Sequence, residues 1–231
     1  MEEQQFNLSR PNRPIQIGVI LLNSETEILD VAPIDLLHSM SKKFVAALEP
    51  FYPEGIAAQA LDIEFHWVNE TGETARLTGG LSLVPTDTFA TCPPLDIVLM
   101  GAHVQLEGYT PSKAELDFIR KSYDDCSAFI TVCGGFLAPF QAGLFKDKTV
   151  TAPRFLLDQL RQTAPEINWV EKRWHRDGKL WTSGALLNGL DLMRAFGTEY
   201  WGGEGTLLQF ALDSGHYPQR DVGYADASLK V

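Results

Sequence analysis

The amino-acid sequence predicts an α/β fold, a three-layer sandwich in which a mostly parallel central sheet carries helices on both faces. Three short runs, at 14–22, 95–100 and 129–132, are almost continuously apolar, as is typical of strands buried on both faces of a sheet. Segments with apolar residues at helical spacing separate these runs, and this alternation favours parallel strands joined by helices. We therefore expect one domain over residues 14–231, with residues 1–13 as a flexible leader.

The remaining elements follow from local patterns. Helical spacing of apolar residues, with Pro33 allowed in the first turn of the first helix, predicts helices at 28–43, 112–123, 136–143, 153–163, 188–200 and 205–212. Shorter runs predict a strand nearer the sheet edge at 61–68, a hairpin at 76–85, a strand at 146–151, and two strands within 167–183 around Asp177-Gly178.

Composition excludes several classes of protein. The formal net charge of −11 argues against nucleic acid and anionic membrane surfaces as partners. No segment has the apolar core of a signal peptide or the length needed to span a bilayer. The three cysteines match neither a zinc site nor a disulfide framework, so we expect a reducing, cytoplasmic setting. No two histidines show metal-ligand spacing with an acidic partner, and we expect no metal site.

The stretch around Cys133 carries the strongest chemical signal. Cys133 follows a buried strand and precedes Gly134, Gly135 and a helix, which places its side chain on a sharp strand-to-helix turn. Glycines after such a turn let the backbone recover without a Cβ clash. N–H groups at the start of the helix would favour thiolate over thiol. Cys133 is therefore a candidate nucleophile, and a buried, unreactive cysteine is the alternative interpretation.

Two other loops, 23–30 and 101–103, follow strands of the same sheet. Ligands of open parallel sheets bind beyond the carboxyl ends of the strands, so we expect both loops to lie near Cys133. Asp30 is the acidic candidate in the first loop. A carboxyl group held against a cysteine in a dry site would have a raised pKa. Asp30 is equally suited to cap the helix that continues through Pro33.

Several motifs in this order resemble the ThiJ/PfpI superfamily over about 14–215. The motifs are Leu29-Asp30-Val31-Ala32-Pro33, Leu99-Met100-Gly101-Ala102, Thr131-Val132-Cys133-Gly134-Gly135, Ala142-Gly143-Leu144, Trp181-Thr182-Ser183-Gly184 and Asn188-Gly189-Leu190-Asp191. The resemblance implies a flavodoxin-like fold similar to class I glutamine amidotransferase domains, and a homodimer. An Asp closely followed by Pro is more similar to the isonitrile-hydratase branch than to the branch with a Glu.

The resemblance to that branch implies a cofactor-independent enzyme, a lyase or hydratase, acting on a small electrophilic molecule. The resemblance implies that Cys133 attacks an electrophilic carbon and that Asp30 transfers the proton of the water that adds. Backbone N–H groups at Gly134 and Ala102, beside Gly101, would stabilise the developing negative charge. Position at the strand ends adds five pocket candidates: Glu27, Leu29, His103, Phe136 and Leu186.

Three departures from the family pattern leave alternatives open. Asp30 lies one residue closer to Pro33 than in most members, and Gly134 replaces a threonine. The segment 151–153 lacks the histidine of protease-like and glyoxalase-like members. The second hypothesis is a non-enzymatic or redox-sensing member in which Cys133 is oxidised beside an acidic neighbour. A glyoxalase-like or amidase-like hydrolase is a third, and Glu27 or His103 is an alternative proton partner.

Overall fold

The structure, a computed structural model, describes residues 6–104 and 109–227. Its strands are β1 (Ile15–Ile20), β2 (Glu25–Thr26), β3 (Ile63–Asn69), β4 (Ala75–Leu77), β5 (Leu81–Leu83), β6 (Asp87–Thr88), β7 (Ile97–Met100), β8 (His103–Val104), β9 (Ala128–Val132), β10 (Thr149–Val150), β11 (Asn168–Trp169), β12 (Trp174–Asp177) and β13 (Leu180–Ser183). Its α-helices are α1 (Ile28–Val31), α2 (Asp35–Ser39), α3 (Lys42–Ala47), α4 (Lys113–Asp125), α5 (Leu137–Gln141), α6 (Leu157–Thr163), α7 (Asn188–Trp201) and α8 (Leu207–Ser214). None of these helices is long and apolar enough to cross a membrane.

The central sheet of the described residues has seven strands in the order β12-β13-β9-β7-β1-β3-β6. Neighbouring strands pair in parallel except β12 with β13. The register sets Val19 of β1 beside Leu99 of β7, and Leu99 beside Ile130 of β9. The carboxyl ends of these three strands therefore meet at one edge of the sheet.

Alternate side chains of the central strands enter two hydrophobic cores. On one face, Ile17 of β1 and Leu99 of β7 pack in the same core as Phe196 of α7. On the other face, Val98 of β7 belongs to the core that includes Ile119 of α4. Helices on both sides of a mostly parallel sheet confirm the predicted three-layer sandwich.

The prediction of a single helix at 28–43 is wrong, because the segment forms several short helices. α1 gives way to a short 3-10 helix, Ala32–Ile34, in which Pro33 has no N–H for a helical hydrogen bond. α2 ends before Ser41, whose backbone is extended with ψ of 145° and whose hydroxyl caps α3. The first connection is thus a chain of short helices that brings its first turn over the end of the sheet.

A second sheet of four short strands, in the order β5-β4-β2-β8, covers this edge. The predicted hairpin at 76–85 is confirmed as the antiparallel pair β4 and β5. β2 and β8 were not predicted, because two-residue strands leave no periodic pattern in the sequence. Their pairing sets Thr26 opposite His103 and joins the loop after β1 to the loop after β7.

Residues 6–13 do not form the predicted loose leader; residues 1–5 lie outside the described part of the chain. Leu8 is 2% exposed, and its carbonyl accepts a hydrogen bond from Trp201 Nε1 at 2.9 Å. Arg13 donates two hydrogen bonds to buried Asp96, at 2.6 and 2.8 Å. A single leucine among polar residues carries no periodic signal, so this packing escapes prediction.

Candidate active site

The turn at Cys133 is strained. β9 ends at Val132, and the 3-10 helix Cys133–Phe136 follows without an intervening loop. Cys133 has a φ of 54°, in the left-handed region that side chains with a Cβ rarely adopt. Such a conformation costs about 1–2 kcal/mol and persists only where the surrounding structure holds it. The predicted strand-to-helix turn is confirmed, with Cys133 at its apex.

The two glycines after Cys133 allow this turn to press against the end of β7. A Cβ on Gly135 would lie 2.3 Å from the carbonyl oxygen of Met100 and 2.8 Å from the carbonyl carbon of Gly101. A Cβ on Gly134 would lie 3.0 Å from Cβ of Ala102. The loops that follow β7 and β9 are thus in direct contact, as their positions at the sheet edge predict.

Asp30 reaches the same place from the loop after β1. Its side chain is fully buried, and Oδ2 accepts a hydrogen bond from the backbone N–H of Ala102 at 2.8 Å. Oδ1 is buried without a hydrogen-bond partner among the described residues. The helix-capping interpretation is wrong, because Asp30 lies inside α1 and Glu27 occupies the N-cap position. The carboxyl group therefore has one oxygen fixed and one available.

This contact also corrects the role expected for Ala102. Its N–H is engaged by Asp30, so it orients the carboxyl group and is not available to a developing negative charge. The backbone N–H groups of Gly134 and Leu186 act on the Cys133 sulfur instead, and both lower the pKa of the thiol. Leu186 was predicted only as a pocket side chain, and its backbone contact has no signature in the sequence.

The electrostatics of the two groups follow from burial. Burial raises the pKa of Asp30 to about 7; the Ala102 N–H opposes this rise and the charge of Glu27 adds to it. The predicted rise of the carboxyl pKa is confirmed. Burial and then the Asp30 charge raise the pKa of the Cys133 thiol to about 11, although the Gly134 and Leu186 N–H groups lower it. The predicted resting thiolate is wrong, because desolvation outweighs the N–H groups at the turn.

Glu27 and Leu29 lie in the same loop as Asp30. The Glu27 N–H donates to the Ala102 carbonyl at 2.8 Å, and its carboxylate accepts a hydrogen bond from the Thr78 hydroxyl at 3.0 Å. Leu29 is 47% exposed. Thr78 was missed from the sequence, because only the pairing of β2 with β4 brings it to this loop.

Two predicted pocket residues are placed differently. Phe136 is fully buried and lies edge-on to Trp169 at 5.8 Å in the core, so it does not line an open site. His103 is buried and lies edge-on to Tyr109 at 5.7 Å. Burial lowers the pKa of His103, and the charge of Glu115 opposes this effect. His103 thus belongs to a polar cluster at the start of α4. No group of three or more potential metal ligands is assembled within 6–104 and 109–227.

The raised pKa of Asp30 predicts how stability changes with pH. Because the pKa of Asp30 is about 7 in the folded state, against 3.8 for an aspartate in water, the folded state holds this proton more tightly. The contribution of Asp30 to the free energy of unfolding is complete below about pH 4 and is lost as the pH rises to about 7. The loss is about 1.4 kcal/mol for each unit by which the folded and unfolded pKa values differ. Asp30→Asn keeps an acceptor for Ala102 but cannot ionise. We expect the variant to gain stability relative to wild type on going from pH 5 to pH 8, measured by urea unfolding.

The matched control is Asp35→Asn, which makes the same change on an exposed side chain of α2. Its free energy of unfolding relative to wild type should differ little between the two pH values. An equal Asp30→Asn effect at pH 5 and pH 8 would contradict the raised pKa.

Proteins with a mostly parallel sheet and a cysteine on a strained strand-to-helix turn at its carboxyl edge form a distinct class, and this chain has that geometry. More particularly, the chain belongs to the DJ-1/PfpI family, whose sequence profile matches residues 40–199. The superfamily indicated by the sequence motifs is thereby confirmed. The match begins within the connection after β1 and includes the Cys133 turn.

The relatives differ in the activities that their names indicate. Isonitrile hydratase of Pseudomonas putida is 29% identical over 177 residues, which cover 76% of this chain and 77% of that protein. A THiJ/PfpI family protein of Pseudomonas syringae has a TM-score of 0.69 at 19% identity, covering 92% of this chain and 79% of that one. An AraC family transcriptional regulator of Pseudomonas putida has a TM-score of 0.64 at 14% identity, covering 87% and 99%. The two structural likenesses show the fold alone.

Proposed function

We propose that the protein is a cofactor-independent hydratase that adds water to isonitriles, with Cys133 as nucleophile and Asp30 as acid/base. The observation that carries the proposal is the buried Asp30 carboxyl group, whose pKa is about 7 and whose Oδ1 has no partner in the described residues. A group that titrates near neutral pH is suited to both taking and giving a proton. The relative named isonitrile hydratase supports this choice of substrate class.

The raised thiol pKa decides the first step. At neutral pH the sulfur is protonated and needs a base as it attacks. Asp30 in its carboxylate form takes the thiol proton while sulfur bonds to the terminal carbon of the isonitrile. Asp30 then delivers that proton to the same carbon. The product is an enzyme-bound thioimidate, R–N=CH–S, and Asp30 is again a carboxylate.

Water completes the reaction with the same two groups. Asp30 takes a proton from water as its oxygen adds to the thioimidate carbon, and then delivers that proton to the nitrogen. In the collapse of this intermediate the C–S bond breaks, Asp30 moves the hydroxyl proton to the departing sulfur, and an N-substituted formamide is released. The sum is one isonitrile and one water to one formamide, and no oxidant or cofactor takes part.

The redox-sensing hypothesis has less support. Cysteines that are oxidised readily have a low pKa and an accessible thiolate, whereas burial and Asp30 raise the pKa of Cys133 to about 11. The same thiol can still serve an enzyme that supplies a base at the moment of attack. A glyoxalase-like or amidase-like reaction has less support as well. The chain lacks the histidine of those members, since 151–153 reads Thr-Ala-Pro.

The test is turnover of a small alkyl isonitrile, followed by loss of the isonitrile infrared band and by appearance of the formamide in proton NMR. We expect kcat/KM to rise with pH through about 7, because the reaction begins with the Asp30 carboxylate. Asp30→Asn should lower kcat by about 10² to 10⁴ and remove this pH dependence. Asp35→Asn is the control. Absence of formamide with the folded wild-type protein across a series of isonitriles would refute the proposal.

A further inference from the structure

The C-terminal segment, residues 217–227, packs without helix or strand against the loop between β13 and α7. Tyr224 is its central contact. The ring centroid lies 4.7 Å from Cζ of Arg154 and 4.6 Å from Cζ of Arg173. Guanidinium groups at this distance are attracted to an aromatic ring. The two arginines thus hold the Tyr224 ring in place.

The Tyr224 hydroxyl binds the loop 184–188. It donates a hydrogen bond to Oδ1 of Asn188 at 2.8 Å, and the same oxygen accepts from the Ala185 N–H at 3.1 Å. The loop approaches so closely that a Cβ on Gly184 would lie 2.7 Å from this hydroxyl. A single hydroxyl group therefore contacts both ends of the loop.

The same loop forms one side of the Cys133 site. Ser183, its preceding residue, pairs with Val132, so the loop leaves the sheet beside Cys133. At the other end, a Cβ on Gly189 would lie 3.0 Å from Cγ1 of Val132. Between these fixed points, the backbone N–H of Leu186 acts on the Cys133 sulfur and lowers the pKa of the thiol.

Polar contacts fix the C-terminal segment to the domain on both sides of Tyr224. Before Tyr224, Arg220 pairs with Asp191 of α7 and donates to the Leu187 carbonyl at 2.9 Å. The backbone N–H of Arg173 donates to the Val222 carbonyl at 2.8 Å. The Arg173 side chain, which is almost fully buried, then donates to Asp226 at 2.9 Å. These contacts therefore fix the position of the Tyr224 hydroxyl relative to the domain.

We infer that Tyr224 is a positioning residue, which holds the 184–188 loop where the Leu186 N–H meets the Cys133 sulfur. The inference rests on the proposed role of Cys133 as nucleophile. Negative charge grows on the sulfur as Asp30 takes its proton and again when the sulfur leaves. A correctly placed N–H donor stabilises the sulfur at both moments.

The test is the pH dependence of Cys133 alkylation by iodoacetamide, compared between wild type and Tyr224→Phe. Phenylalanine keeps the ring between the arginines and removes only the hydroxyl. Loss of one hydrogen bond of ordinary strength should slow alkylation about threefold to tenfold at any pH below the thiol pKa, through a higher pKa. Peptide mass spectrometry assigns the alkylated cysteine, and circular dichroism confirms folding.

Tyr217→Phe is the matched control, because it removes a hydroxyl from the same segment, whose contact with Arg194 uses the Tyr217 backbone carbonyl. It should leave the Cys133 pKa unchanged. Gly184→Ala disturbs the Tyr224 contact from the loop side and should raise the Cys133 pKa, which provides the test if Tyr224→Phe folds poorly. A folded Tyr224→Phe, or a folded Gly184→Ala in its place, with an unchanged Cys133 pKa overturns the inference. Because alkylation needs no substrate, this result is independent of whether isonitriles turn over.

Discussion

Cys133→Ser is expected to reduce the proposed isonitrile hydration by on the order of 10⁴-fold, the largest effect of any single substitution on that activity. A serine hydroxyl is a far weaker nucleophile and acid than a thiol, and the base beside it, with a pKa near 7, cannot ionise it appreciably. Serine keeps the Cβ and the size of the side chain, so the strained turn is unchanged. The measurement is formamide production at saturating isonitrile.

Cys92→Ser is the control for this prediction. Cys92 is half-buried, and burial raises the pKa of its thiol to about 12, so it resembles Cys133 in environment but lies in the loop after the edge strand β6. Its replacement should leave turnover within about twofold of wild type. Retention of activity in Cys133→Ser would exclude Cys133 as the nucleophile, whatever the behaviour of Cys92.

Gly135→Ala is expected to have the largest effect on folding, a loss of about 3 kcal/mol or more in the free energy of unfolding. The added methyl group would meet backbone atoms of Met100 and Gly101, which belong to a central strand end and cannot move aside as a flexible side chain can. Either β7 or the turn at Cys133 must shift. Urea unfolding monitored by tryptophan fluorescence gives the free energy.

Gly143→Ala separates this clash from the ordinary effect of replacing a glycine. Gly143 has a φ of 82°, and an added Cβ would have no neighbour within 4 Å. Its replacement should cost only about 1–2 kcal/mol, from the left-handed backbone. Equal losses in the two variants would mean that the turn and β7 are not packed as tightly as the structure indicates.

The sequence was sufficient to predict the strands that position the site. β1, β7 and β9 are almost continuously apolar because both faces of these strands are largely buried, and that requirement is visible in the sequence. β2, β6 and β8 have two residues each and depend on partners far along the chain. The helical run at 28–43 had the right periodicity, but the 3-10 helix Ala32–Ile34 and the extended backbone at Ser41, paired with Leu61, interrupt it.

The central members of the site and the raised pKa of Asp30 were predictable, but the raised pKa of the Cys133 thiol was not. Position at strand ends was enough to bring Cys133, Asp30 and Ala102 together. The thiol pKa depends on the balance between burial and N–H donors, and the sequence contains no measure of burial. The Tyr224 contact joins residues 36 positions apart through a segment without regular structure, so no local pattern could indicate it.

A cysteine at position 133 destabilises the folded protein, because its backbone lies in the left-handed region. Its φ of 54° suits glycine, which adopts this region without a Cβ clash. In laboratory evolution for heat resistance alone, Cys133→Gly would be favoured at this position. Glycine has no Cβ and relieves the backbone strain, whereas every other residue would keep it. Selection for heat resistance in this protein therefore needs a check at every round that Cys133 is retained, since the cysteine and the relief of backbone strain exclude each other at this position.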